Sequence, residues 1–210
     1  MRYPIAEKFV APQGEGLYTG TVMAFVRLVG CSVGQKVCTS CDTDFSAMHV
    51  NLGGGLFSAE ELASWVESTG VRHVCLTGGE PMDRDLTHLL AALKGRVSRV
   101  HVETSGTVRP PWLLIVPLWV CVSPKPGWRD DMVHLADEVK VILGGLGDGP
   151  GWPTVEDALA WAKAGKLVYV QPRNDRLTID ADHMAEAIAV VTAHPALRLS
   201  AQLHKYIRTR

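Results

Sequence analysis

Three of the five cysteines in this 210-residue chain share one stretch, "GCSVGQKVCTSCDTDF" at 30–45, as Cys31, Cys38 and Cys41 in the spacing C-x6-C-x2-C. Thiolates are metal ligands. In a reducing compartment, clustered cysteines bind metal more often than they form disulfides. Three thiolates suit two kinds of centre. They can hold three irons of a four-iron cluster and leave the fourth iron open, as a catalytic centre requires. With His49 as a fourth ligand they can instead close a zinc clip. The spacing alone leaves both open. Cys75 and Cys121 lie inside apolar runs and read as small buried hydrophobes.

Other residues could do chemistry. In "TGGEP" (77–81) two glycines let the backbone approach a ligand closely, Glu80 follows, and Pro81 stiffens the exit. Alone, this tetrapeptide core could be a plain strand-to-helix turn. Arg27 interrupts the apolar run "VMAFVRLV" (22–29) and so calls for a buried partner. A guanidinium binds a carboxylate through two parallel hydrogen bonds. Gln13, Gly14 and Glu15 offer amide, backbone and carboxylate groups, although the stretch also reads as an ordinary loop. Glu138 and Lys140 alternate with Val139 and Val141 and therefore share one face of a strand. On an inner face they would be site residues; on an outer face, a solvated pair.

The elements that must position these groups are legible as apolar, β-branched runs at 22–29, 71–77, 97–104, 118–123, 138–143 and 166–171, with 197–203 as a possible seventh. Helical patterns separate several of them. Ser58 and Glu61 form a capping box ahead of 61–68. Spacing predicts a helix over 85–93, another from Thr154 to a stop at Gly165, and a third over 180–195. No helix is expected between 104 and 137. Alternating strands and helices imply parallel β/α units, and four helices are too few for a closed eight-fold barrel. The expectation is a single α/β domain spanning 1–210, a partial TIM-like barrel of about six parallel strands with reduced helix content. Cys31 then sits at the C-terminal end of the first strand, where such barrels carry their chemistry. The glycine-rich "GGLGDGPGWP" (144–153) fits no phosphate-binding pattern and reads as a flexible turn.

Bulk properties exclude some classes. With 21 basic and 22 acidic residues, the net charge of −1 gives no footprint for nucleic acid. The first residues lack the apolar run of an export signal. The longest apolar stretch, "PPWLLIVPLWVCV", is short and broken by Pro117, so no membrane span is expected. These features point to the cytoplasm.

Three cysteines after a first strand, followed by Gly-Gly-Glu after a second, resemble the radical S-adenosylmethionine superfamily. "PQGEG" (12–16), Arg27, "CDT" (41–43), "ETSGT" (103–107), "SPK" (123–125), "VQP" (170–172) and "HKYIRTR" (204–210) together resemble one branch, the 7-carboxy-7-deazaguanine synthases, from end to end. The resemblance implies that Cys31, Cys38 and Cys41 ligate a [4Fe–4S] cluster whose open iron takes S-adenosylmethionine. Gly78, Gly79 and Glu80 would face the methionine amino group. Ser40, Cys41 and Asp42 would flank the adenine, and Ser123, Pro124 and Lys125 the ribose or carboxylate. Gln171, Pro172, Arg173 and Asn174 would border the adenosyl group. The superfamily spacing is C-x3-C-x2-C. Here the first gap is six residues, so the loop must bulge before Cys38.

The substrate implied is 6-carboxy-5,6,7,8-tetrahydropterin, contracted to 7-carboxy-7-deazaguanine with loss of ammonia, a carbon–nitrogen lyase reaction in queuosine- and preQ0-type biosynthesis. Pro12, Gln13, Gly14, Glu15, Arg27, Thr77, Glu103 and His204 would bind it, together with the terminal carboxylate of Arg210. Thr43 would supply an oxygen to Mg²⁺, with substrate and water completing the shell. The resemblance also implies an external one-electron donor of flavodoxin or ferredoxin type and a homodimer. Two other readings remain at this point. One is an activase that installs a glycyl radical on a partner protein, and the other is a non-enzymatic zinc-binding interaction module.

Overall fold

In the computed structural model, the described residues are 1–34, 37, 38, 41, 43–114, 117–144, 149–174 and 178–207. Nine strands form one sheet, in the order β3-β1-β2-β4-β5-β6-β7-β8-β9. The seven expected strands are all present: β2 (Val22–Leu28), β4 (His73–Gly78), β5 (Arg99–Thr104), β6 (Trp119–Val122), β7 (Glu138–Leu143), β8 (Leu167–Pro172) and a short β9 (Arg198–Leu199). Each pairs in parallel with the next. β3 and β9 remain edges, so the barrel is partial.

Two strands were not expected. β1 (Arg2–Pro12) runs antiparallel to β2, and β3 (Gly55–Ser58) runs antiparallel to β1. In β1, Pro4, Glu7 and Lys8 break up the apolar signal. The sheet accommodates them through a register shift between Ile5 and Glu7 and through polar partners. Cys31 therefore follows the second strand rather than the first.

The helices covering the outer face are α1 (Ala59–Ser68), α2 (Thr87–Leu93), α3 (Asp130–Leu135), α4 (Val155–Lys163) and α5 (Ala181–Ala193), and α6 (Leu203–Tyr206) lies near the chain end. The Ser58–Glu61 capping box is formed: Glu61 N donates to Ser58 Oγ at 3.1 Å and Ser58 N to the Glu61 carboxylate at 2.6 Å. α3 corrects the expectation that 104–137 holds no helix. Its six residues are too few to show a period, and burial of Met132 and Val133 holds it. The run at 197–203 is strand only at Arg198–Leu199 before it turns into α6.

Strand alternation sorts the side chains. Ala24, Val26, Val74, Leu76, Val102, Val120, Val139, Val141 and Val170 join the main core under the helices. Their neighbours Phe25, Arg27, Thr77, Glu103, Lys140 and Gln171 face the other way and line one cavity. The apolar positions thus determine the orientation of the polar ones.

At the N-terminal ends of the strands the barrel is plugged. Phe9 stacks on Phe25 at 5.1 Å, and Tyr18 packs edge-on against His101 and Trp119. His73 Nδ1 lies 2.9 Å from His101 Nε2, a distance that needs one shared proton. Burial, then the charges of His73 and Arg99, push His101 down to about 3 from 6.5. The unfolded chain therefore binds a proton near pH 6.5 that the folded chain refuses until about pH 3. This contribution to stability is whole above pH 6.5 and is lost as pH falls through that window. Between pH 7.5 and 5.0 the Tm of His101→Asn should fall less than that of the unaltered protein. The expected difference is roughly 4–8 °C, about 2 kcal/mol at this size. Parallel slopes in the two proteins would remove His101 as the cause.

Candidate active site

Strands β2 and β4 run side by side, and their C-terminal turns are joined through the backbone. Gly79 N donates to Leu28 O at 3.1 Å and Glu80 N to Gly30 O at 3.0 Å. The two glycines are there because nothing larger fits. A Cβ at Gly78 would lie 2.2 Å from Leu28 N, and one at Gly79 would lie 1.7 Å from Gly30 O. Beyond them a short 3-10 turn (Pro81–Asp83) clamps the start of the cysteine loop. Asp83 accepts from both Ser32 N and Ser32 Oγ at 2.7 Å, and Arg84 donates to Val29 O at 2.9 Å. Cys31 is thereby held between two anchored neighbours. The bulge expected before Cys38 falls partly on Gln35 and Lys36, which lie outside the described residues. Cys38 N donates to Gly34 O at 3.1 Å and Cys41 N to Cys38 O at 3.1 Å.

Cys31, Cys38 and Cys41 are in no disulfide, each is partly exposed, and all three line the cavity. Cys75 and Cys121 are fully buried, and burial holds both thiols far above their ordinary value. Burial also raises Cys38, with the charge of Lys125 pulling the other way. His49 does not join the three cysteines. Its Nε2 faces Asp44 Oδ2 at 3.4 Å, and the residue lines a separate surface hollow with Val50, Asn51 and Leu52. A donor set of three accessible thiols opening on one cavity, without that histidine, fits an open-site cluster better than a zinc clip.

Glu80 is 2 % exposed. Its carboxylate accepts from Met82 N at 3.0 Å, Thr104 Oγ1 at 2.7 Å, Ser105 N at 2.8 Å and Ser105 Oγ. It ties the β4 turn to the end of β5. On the far side Lys125 Nζ donates to Ser123 Oγ at 2.7 Å and lies over the ring of Trp152, 5.6 Å from its centre. Pro124 stands between Ser123 and Lys125 but does not line the cavity, whereas Gln171, Pro172, Arg173 and Asn174 do. Ser40, Asp42 and Arg210 lie outside the described residues.

The opposite wall is a buried polar network. Lys140, 3 % exposed, donates to Glu15 Oε2 at 2.5 Å and Glu103 Oε2 at 2.7 Å. Gln13 Nε2 donates to Glu103 Oε1 at 3.2 Å, and Gln202 Nε2 to Glu15 Oε1 at 2.8 Å. Burial pushes Glu15 up, but the charge of Lys140 and hydrogen bonds from Lys140 and Gln202 outweigh it and hold the carboxyl at about 2. Arg27 Nε lies 2.8 Å from Glu7 Oε1, its cross-strand neighbour on β1, and Nη1 donates to Thr43 Oγ1 at 3.1 Å. The buried partner that the sequence called for is thus Glu7 within the chain itself. Pro12, Gly14, Thr77 and His204 complete this wall. The cavity measures about 290 Å³, close to the lower end of small-molecule sites.

The chain is similar along its whole length to proteins of known name. It is 34% identical over 223 residues, all of both chains, to the 7-carboxy-7-deazaguanine synthase of Bradyrhizobium diazoefficiens. It is 35% identical to that of Caulobacter vibrioides, over 99% of each chain. The chain belongs to the 7-carboxy-7-deazaguanine synthase family. Its fold agrees: the crystal structure of QueE from Escherichia coli superposes with a TM-score of 0.74 at 30% identity, covering 97% of this chain and 95% of that one. No protein-family model matches the chain.

Within the cavity of this synthase-family chain stand residues that sequence reasoning did not single out. Gln202 takes left-handed backbone at φ 49° and reaches Glu15. Ser105 grips Glu80, Phe45 closes the cysteine side, and Trp152 comes from the glycine-rich connection. Two of them carry a signal in the sequence: Ser105 lies within "ETSGT", and Trp152 is a lone aromatic at the end of a glycine run. Lys140 was visible but its face was not. Burial of Val139 and Val141 in the core under the helices turns Lys140 the other way, into the cavity.

Proposed function

We propose that the protein contracts 6-carboxy-5,6,7,8-tetrahydropterin to 7-carboxy-7-deazaguanine by radical S-adenosylmethionine chemistry. One observation carries the reading. Three thiols outside any disulfide, the Gly-Gly-Glu turn and the Arg27–Glu15–Glu103 wall open on a single cavity at the C-terminal ends of the parallel strands. Cys31, Cys38 and Cys41 would hold a [4Fe–4S] cluster, and Gly78–Glu80, Ser123–Lys125 and Gln171–Asn174 would hold S-adenosylmethionine. Bound there, and reduced by an external flavodoxin- or ferredoxin-type donor, the pair would supply one-electron radical chemistry at the substrate's ring.

The chain's own part is position, charge and dryness. Glu15 and Glu103 are acceptors suited to the N–H edge of a pterin. Arg27 offers its guanidinium to the substrate carboxylate. The aromatic plug of Phe9, Phe25 and Tyr18 keeps water from the floor. No helix among the described residues is long and apolar enough to cross a membrane. A cytoplasmic homodimer acting on a small molecule, without nucleic acid, accompanies this reading.

Magnesium fits on a condition. Thr43 Oγ1 is a hard oxygen, but it accepts from a guanidinium, and a dication there meets like charge. The substrate carboxylate would bring the compensating charge and draw Arg27 to itself, so ion and substrate should bind together. The test is an anaerobic assay with S-adenosylmethionine, reductant and the carboxytetrahydropterin across a Mg²⁺ titration, with product read by mass spectrometry. The unaltered protein should give the deazaguanine acid, and an absence of that product would sink the reading. Thr43→Ala should lose most of the Mg²⁺ stimulation with iron content intact, and Thr43→Ser should keep it. An unchanged titration in Thr43→Ala would leave the residue as part of a turn.

A further inference from the structure

Lys140 lies outside every motif that carries the family resemblance, yet it is the point where the substrate wall converges. It sits mid-strand on β7, 3 % exposed, with its ammonium 2.5 Å from Glu15 Oε2 and 2.7 Å from Glu103 Oε2. The two carboxylates arrive from separate elements, Glu15 from the 13–21 loop and Glu103 from the end of β5. Their outer oxygens are also fixed. Glu103 Oε1 accepts from Gln13, and Glu15 Oε1 from Gln202 and Gln171. Ser200 in turn holds Gln171, and Asn174 holds Gln202.

Two carboxylates this close in a dry site cannot both stay ionised without a cation between them, because like charge and burial each favour the protonated form. A protonated carboxyl presents an O–H donor where an acceptor is required. Which ring edge the cavity accepts therefore depends on the ammonium. We infer that Lys140 is a positioning residue that keeps Glu15 ionised and holds both Glu15 and Glu103 aimed, and so makes the cavity select a ring edge with adjacent N–H donors. The inference rests on the function proposed above.

Other charged and titratable groups face the ammonium or the carboxylates. They are Cys75 from β4, Cys121 from β6, Glu138 from β7 itself, Lys125 beyond β6, Arg27 from β2 and His204 from α6. None replaces it. Burial holds both cysteines as thiols and raises Glu138 toward its neutral form. Arg27 is paired with Glu7, and Lys125 with Ser123. Burial alone would lower Lys140, but the groups around it, Cys121 and the carboxylates of Glu103, Glu15 and Glu138, hold it well above the usual lysine value. It is therefore charged throughout the range in which the enzyme can be assayed.

The test compares the unaltered protein with Lys140→Met, Lys140→Gln and Lys140→Arg. KM and kcat for the carboxytetrahydropterin are measured from pH 5.5 to 8.5, beside S-adenosylmethionine affinity and iron content. In the Met and Gln variants the Glu15 carboxyl should hold a proton at the acid end. Their KM should exceed the unaltered value by roughly tenfold or more at pH 6, as one unit of displacement gives, and the gap should narrow by pH 8.5. S-adenosylmethionine affinity and iron content should stay within about twofold, and Lys140→Arg should recover most of the loss because it keeps the charge. Parallel pH profiles, or an arginine variant no better than the glutamine variant, would overturn the inference. Should Lys140→Met fail to fold, Lys140→Gln, which keeps a donor without charge, decides the matter alone. Turnover by the unaltered protein separates the two claims. Without it the proposed function falls; with it and parallel profiles, only the role of Lys140 does.

Discussion

Replacing Cys31, Cys38 or Cys41 with alanine should strip the protein of its iron and of all measurable turnover, while Cys75→Ala and Cys121→Ala keep their iron. The asymmetry follows from where the five thiols stand. The first three open on the cavity, and among the described residues no fourth thiol lines it to take a lost ligand's place. His204 is the one histidine in the lining, and it belongs to the opposite wall, where a Cβ on Gly14 would lie 2.2 Å from its Nδ1. The other two thiols are sealed in the barrel, and their protonated state makes them inert toward metal. Truncating them removes one buried sulfur each, a packing loss of about 1 kcal/mol. Iron and sulfide analysis after anaerobic reconstitution, with the visible absorbance of the cluster, checks this before any turnover is measured. A Cys38→Ala protein with a full iron complement would defeat the ligand assignment. A Cys75→Ala protein without iron would show that the buried thiols matter in a way the geometry does not explain.

The sequence announced the inner strands because parallel strands covered on both faces are written almost wholly in Val, Ile and Leu. It announced the thiols, the double glycine and Arg27 because each is out of place unless it has a task. It did not announce β1, whose polar residues find partners only once the sheet exists: Glu7 needs Arg27, and Lys8 needs the rings of Phe57 and Trp65. It left the side of Lys140 undecided for the same reason. Alternation fixes that Glu138 and Lys140 share a face, but only the burial of Val139 and Val141 under the helices says which face. Gln202 was silent because an amide acquires a role only from what lies opposite it. It reaches Glu15 through a left-handed turn that glutamine rarely adopts. The glycine-rich connection reads as punctuation in the sequence, yet its one aromatic, Trp152, lines the cavity.

Gly79→Ala is the smallest change from which a loss comparable to that of a missing ligand is expected. The added methyl would sit 1.7 Å from Gly30 O, 2.4 Å from its carbonyl carbon and 3.0 Å from Cys31 Cβ. The first two are backbone atoms and cannot rotate away, so the β2 and β4 turns must separate by more than an ångström. Three things break together. Glu80 N loses Gly30 O, Cys31 is displaced from its clamp between Val29 and Ser32, and the Glu80 carboxylate pulls on Thr104 and Ser105. Overpacking of this kind costs about 1–3 kcal/mol of stability, which a domain of this size survives. Misplacing a reacting group by about 1 Å costs roughly 10²-fold in rate, which turnover does not conceal. The variant should therefore fold with a lowered Tm, bind S-adenosylmethionine at least tenfold more weakly, and turn over about 10²-fold more slowly. Gly165→Ala separates contact from backbone strain. Gly165 has φ +87° with nothing within 4 Å of a Cβ, so alanine there costs only about 1 kcal/mol of left-handed strain and should leave cofactor affinity unchanged. If Gly79→Ala binds S-adenosylmethionine as tightly as Gly165→Ala does, the double glycine is a turn and not a cradle.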